Sequence, residues 1–94
     1  MAVAIAQFKV KDYEAFITHF RKAAPHRAAA GCKGVHLFRN SDDGNEVIVN
    51  FQWEDRGKAE AMMADPATRA RFAEAGMIGA PTVVWVDDAG REPS

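Results

Sequence analysis

Three histidines and a single cysteine bound the nucleophilic and imidazole chemistry open to this chain. Cys32 and His36 invite a thiolate–imidazole reading. On one extended strand, four residues at about 3.3 Å each would hold their Cα atoms about 13 Å apart. Such a pair needs hydrogen-bond contact, so Cys32 reads as a small apolar residue at a strand start. His19 and His26 lie seven apart, whereas helical metal pairs use spacings of three or four. With no third ligand they read as solvated side chains, and no metal site is expected. Asp42 and Asp43 sit among turn formers and lack the terminal glutamate of a calcium loop. His36 and Asn50 are more informative. A hairpin centred near Asp43-Gly44 sets them opposite each other. They are then either a general base oriented by an amide or a hydrogen-bonded polar pair inside an interface.

A second group of residues suggests binding. Trp53, with Tyr13, Phe20, Phe51 and Met62, would wall a ligand cavity beneath a helix layer, or simply fill a core. Arg39 shares their face. It would orient an anionic or phenolate ligand, or carry its charge out to solvent at the hairpin end. The chain has no glycine-rich phosphate loop, nucleophile elbow or Cys-x-x-Cys pair, so no cofactor is expected.

The elements that must position these residues follow from hydrophobic period. Residues 2–10 are apolar on both faces and read as a central strand. Asp12 is a helix cap. Tyr13, Phe16, Ile17, Phe20 and Ala24 form one helical stripe, with a kink or a fresh turn at Pro25 and a stop at Gly31. Residues 33–40 and 46–53 are strands joined by the Ser41–Asn45 turn. A helix begins at Asp55, restarts at Asp65-Pro66 and stops at Gly76. Residues 77–80 read as a loop, 81–87 as the last strand, and 88–94 as a frayed polar tail. The order β-α-β-β-α-β predicts an α+β, ferredoxin-like domain spanning residues 1–94: a four-stranded antiparallel sheet with its helices on one face.

Strand alternation divides the hairpin into two faces. Val35, Leu37, Arg39, Val47, Val49, Phe51 and Trp53 should lie beneath the helices. Gly34, His36, Phe38, Asn40, Glu46, Ile48, Asn50 and Gln52 should lie on the uncovered side, joined by Val3 and Ile5. That side is too apolar for water and too polar for a core, which predicts a symmetric homodimer through this sheet face. The 94 residues, 48% apolar and 27% charged, suit one globular domain, and the net charge of −1 creates no field toward nucleic acid or an anionic membrane. An RNA-binding sheet would need more exposed aromatics than Phe38 and more basic charge. The lone cysteine, the absence of a membrane-length apolar run and the lack of a basic leader predict a cytoplasmic protein.

The element order, the stretch Gly31-Cys32-Lys33-Gly34-Val35-His36-Leu37-Phe38-Arg39-Asn40 and the run Phe51-Gln52-Trp53-Glu54-Asp55 resemble the dimeric α/β-barrel superfamily. Within it they are most similar to small antibiotic biosynthesis monooxygenase-like and "cyclase" proteins. The resemblance implies a homodimeric barrel with a cavity between sheet and helices in each subunit. It implies binding of a hydrophobic or aromatic small molecule and a cofactor-independent monooxygenase or cyclase-like activity, in which the substrate carbanion supplies electrons to oxygen. His36 as base and Trp53 as aromatic wall would serve that chemistry. Many relatives carry a histidine about where Met62 stands; this chain has none after His36, so haem ligation from that helix is not expected. The alternative is a non-enzymatic dimeric ligand-binding or stress-associated module.

Overall fold

The computed structural model describes all 94 residues. The first strand, β1 (Ala2–Val10), leads into two helices, α1 (Tyr13–Lys22) and α2 (Ala24–Ala29). A hairpin of β2 (Cys32–Arg39) and β3 (Glu46–Trp53) follows, then α3 (Arg56–Ala64), α4 (Pro66–Glu74) and β4 (Met77–Val86). The strands form one antiparallel sheet in the order β2-β3-β1-β4, so β1 and β3 are central. This is the α+β, ferredoxin-like arrangement that the sequence predicts.

Helix boundaries have local causes. Asp12 accepts a hydrogen bond from the Glu14 amide (3.2 Å), Asp55 from Gly57 (2.6 Å) and Asp65 from Ala67 (2.9 Å). Each cap of this kind is worth about 1 kcal/mol. Of the two outcomes open at Pro25, the structure takes the fresh start. α1 ends at Lys22 and a short α2 begins at Ala24 with Pro25 in its first turn, where its missing amide hydrogen costs no helical bond. Gly76 ends α4 with φ 87°, and its carbonyl accepts from the Lys11 amide at 2.9 Å, tying the helix end back to β1.

The last strand corrects the sequence reading. Residues 77–80 are not a loop but the first part of β4. Pairing with β1 jumps from Gln7 opposite Thr82 to Lys9 opposite Ile78, so β4 carries extra residues at this point. Gly79 there has φ 72°, and Pro81 follows on an edge strand. An irregularity on an edge accommodates both residues, which would break a central strand. Residues 87–94 form neither helix nor strand and are exposed.

The core lies between sheet and helices. Ala4, Ala6, Phe8 and Val10 of β1 and Val47, Val49, Phe51 and Trp53 of β3 are buried, against Phe16, Ile17 and Phe20 of α1. Aromatic packing runs in a chain, with ring centroids 5.4 Å apart for Phe8–Phe16 and Phe16–Phe20, 6.2 Å for Phe20–Phe51 and 5.9 Å for Phe51–Trp53. These edge and tilted geometries are the favourable ones for aromatic quadrupoles. The chain ends on Trp53, where the layers part.

Candidate functional site

Beside Trp53 the helix layer opens into a cavity of about 220 Å³. Its floor is Phe51 and Trp53, both buried in β3. α1 contributes Phe16, His19 and Phe20, with Ala23 just past its end. α4 contributes Thr68, Arg71 and Phe72, with Ala75 just past its end. Each set follows spacings i, i+3, i+4, i+7, so each helix turns one continuous stripe toward the cavity. Met62 and Met63 close it from α3 with flexible, polarisable side chains.

Of the residues the sequence nominates for binding, Trp53, Phe51, Phe20 and Met62 line this cavity. Tyr13 and Arg39 lie outside its lining. Arg39 sits at the hairpin end, with its guanidinium carbon 3.9 Å from the Tyr13 ring centroid and its Nε donating to the Gly44 carbonyl at 3.0 Å. The cation–π contact and this hydrogen bond occupy both side chains with each other and with the turn. Arg39 is exposed, as the solvent-reaching alternative expects.

His36 and Asn50 are register partners, as the hairpin spacing predicts, but they occupy the uncovered sheet face, opposite Trp53. Their side chains do not hydrogen-bond to each other. The His36 ring stacks on Phe38 at 4.2 Å, and the buried Asn50 Oδ1 has no hydrogen-bond partner. A base at His36 and an aromatic wall at Trp53 therefore cannot serve one ligand within a single chain, because the sheet separates them.

The cavity's charged and imidazole groups, none of them nominated for binding from the sequence, are mostly basic. His19, Lys22, His26, Arg27 and Arg71 all reach the cavity, and Glu74 is the only carboxylate among its lining residues. Arg27 is half-buried. Its Nη1 donates to the Phe20 carbonyl at 2.7 Å and its guanidinium carbon lies 3.8 Å from the Phe20 ring centroid. Burial lowers its pKa from the ordinary arginine value, partly offset by the nearby Cys32. Arg71 Nη2 lies 3.3 Å from Thr68 Oγ1, a hydroxyl buried in the wall. The signal for His19 was present in the sequence: it lies three residues after Phe16, on the edge of the apolar stripe. The signals for Arg27 and Arg71 depend on how α2 and α4 are turned, which period alone does not fix. No group of three or more His, Cys, Asp or Glu side chains is placed to hold a metal ion. No helix is long and apolar enough to cross a membrane.

The uncovered sheet face is built in rows. His36, Asn50, Ile5 and Val84 form one; Phe38, Ile48, Gln7 and Thr82 the next; Gly34, Gln52, Val3 and Val86 a third. Phe38 is 49% exposed and Val84 53%.

The family profile described as antibiotic biosynthesis monooxygenase matches residues 1–74. No curated protein matches the chain. Among solved structures, the fold is similar to SnoaB, a cofactor-independent oxygenase from Streptomyces nogalater, with TM-score 0.76, 18% identity and coverage of 99% of this chain and 97% of that one. It is also similar to a candidate antibiotic biosynthesis monooxygenase from Bordetella bronchiseptica, with TM-score 0.78, 18% identity and coverage of 94% and 96%. A third structure, described as an antibiotic biosynthesis monooxygenase, gives TM-score 0.71 at 20% identity, covering 96% of this chain and 100% of that one.

Proposed function

The chain belongs to the antibiotic biosynthesis monooxygenase family, and from that premise we propose that it binds a hydrophobic, aromatic small molecule beside Trp53 and oxidises it with molecular oxygen, without a cofactor. The observation that carries this reading is the cavity itself: about 220 Å³, floored by Phe51 and Trp53 and sided by Phe16, Phe20 and Phe72. Flat aromatic walls suit a flat aromatic ligand. Oxidation without a redox centre requires a substrate that gives electrons directly to oxygen. A base removes a proton from an acidic methylene and the carbanion reduces O₂. Overall the methylene becomes a carbonyl, one oxygen atom enters the product, and the other leaves as water with the two hydrogens.

The base belongs on the cavity side of the sheet. His19 and His26 at the mouth are placed for it, and His36 is not. The mixed sheet face makes the protein a homodimer in this reading. Phe38 and Val84 gain cover there, and the unpartnered Asn50 Oδ1 gains a donor.

Oxygen consumption with a polycyclic phenol bearing an acidic methylene tests the activity. The expected result is one O₂ per substrate, unchanged by a chelator, with kcat/KM lowered about tenfold or more in Trp53→Ala through lost aromatic contact. Binding without oxygen uptake would instead support the non-enzymatic ligand-binding module. One feature favours that second reading: both candidate bases are exposed at the rim rather than held in the cavity.

A further inference from the structure

The cavity is apolar within and basic at its mouth. Lys22, Arg27 and Arg71 carry three positive charges there against one negative charge on Glu74, and His19 and His26 stand beside them. The chain as a whole has net charge −1, so this concentration is local. None of these basic groups is committed to an ion pair. Four ion pairs occur in the molecule, Lys9–Asp43, Lys33–Glu54, Arg56–Glu60 and Lys58–Glu54, and none uses a cavity cation.

Arg27 and Arg71 are the two that matter. Both are half-buried, so their charge is less screened than that of an exposed side chain. Each spends one donor on a neutral oxygen, Arg27 on the Phe20 carbonyl at 2.7 Å and Arg71 on Thr68 Oγ1 at 3.3 Å. Those bonds fix the guanidinium groups in place. A guanidinium has five N–H donors, so most remain free. A half-buried guanidinium without a counter-ion carries a desolvation cost, which an anion at the same mouth would offset.

We propose that the cavity takes an amphipathic organic anion, with its aromatic body on Phe51 and Trp53 and its carboxylate, or an equivalent anionic oxygen, held at the mouth by Arg27 and Arg71. The proposal rests on the preceding reading of the cavity as a ligand site and narrows its substrate class. The two guanidinium groups act as positioning and specificity groups. They set which end of the ligand enters, and they admit a deprotonated aromatic acid or phenolate in preference to a neutral ring of the same shape.

A matched pair of probes separates charge from shape: 2-naphthoate and 2-naphthamide share the ring system and differ in charge. Calorimetric titration of the full-length protein should show 2-naphthoate binding tighter by about tenfold or more, the scale of one charge-assisted hydrogen bond. Raising sodium chloride to about 0.5 M should weaken the naphthoate and leave the naphthamide little changed. In Arg71→Gln the preference should fall to about threefold or less, through a loss of naphthoate affinity larger than any change for naphthamide. Arg27→Gln should act in the same direction. Because Arg27 also packs on Phe20, Arg71→Gln decides the matter if that variant fails to fold. Equal affinities for the two probes, or a naphthoate preference unchanged in Arg71→Gln, would overturn the proposal while leaving the cavity a ligand site. Failure of both probes to bind at millimolar concentration would overturn the cavity reading, and the proposal with it.

Discussion

Among single residues, the structure separates side chains that look alike in the sequence. Trp53 of β3 and Tyr13 of α1 are both aromatics between sheet and helices, yet Trp53 floors the cavity whereas Tyr13 is covered by the Arg39 guanidinium. Local period reveals which face a residue occupies but not which neighbour reaches it first, and Arg39 reaches Tyr13 across a hairpin the sequence places only approximately. Glu54 is a second case. It receives Lys33 of β2 and Lys58 of α3, each at 3.4 Å, at the junction of β3 and α3. The Lys33 hydrogen bond first, then that of Lys58, holds its carboxyl below the ordinary glutamate range. A carboxyl whose pKa is lowered by folding stabilises the fold fully above its unfolded value. That contribution is lost as pH falls through the folded value. Thermal unfolding across the range below about pH 4.3, the ordinary glutamate value, should therefore show a shallower acid decline in Glu54→Gln than in the parent. The effect is small because the site is exposed. Equal slopes would mean that these ion pairs contribute nothing measurable.

The secondary-structure elements were largely legible, because each carries its own punctuation. Asp12, Asp55 and Asp65 announce three helix starts and bond as caps, and the Ser41–Asn45 turn fixes a register that sets His36 opposite Asn50. The start of β4 is not legible in the sequence, because Gly79 and Pro81 are ordinarily strand breakers. An edge position tolerates them, and edge position is a property of the whole sheet. The alternation of β3 carries the prediction that belongs to this scale. Val47, Val49, Phe51 and Trp53 point into the core, so Ile48, Asn50 and Gln52 face the uncovered side. If that face pairs two copies, sedimentation should give twice the 10.3 kDa chain mass. Ile48→Lys should weaken the association on the order of a hundredfold, since burying an unpaired ammonium costs a few kcal/mol. A monomeric parent protein would contradict the dimer and leave the sheet face open to another role.

At the level of the whole molecule, one sheet separates two surfaces of different character. One side holds an aromatic cavity with a basic mouth; the other is a mixed face with exposed Phe38 and Val84 and a buried Asn50 side-chain Oδ1 lacking a partner. The sequence announced both surfaces through strand alternation. It did not announce the cavity's charge, because Arg27 and Arg71 come from helices far apart in the chain and line one cavity only through the fold. In the proposed reading, ligand binding belongs to the Trp53 side of the sheet. Nitrogen–proton correlation spectra recorded during titration with neutral 2-naphthol test it most directly, since they report every backbone amide and the Trp53 indole at once. Shifts are expected at the Trp53 indole and along His19–Ala23 and Thr68–Ala75, with His36 and Phe38 unmoved. Shifts concentrated at His36, Phe38 and Asn50, with Trp53 silent, would contradict it and move the site to the other face of the sheet.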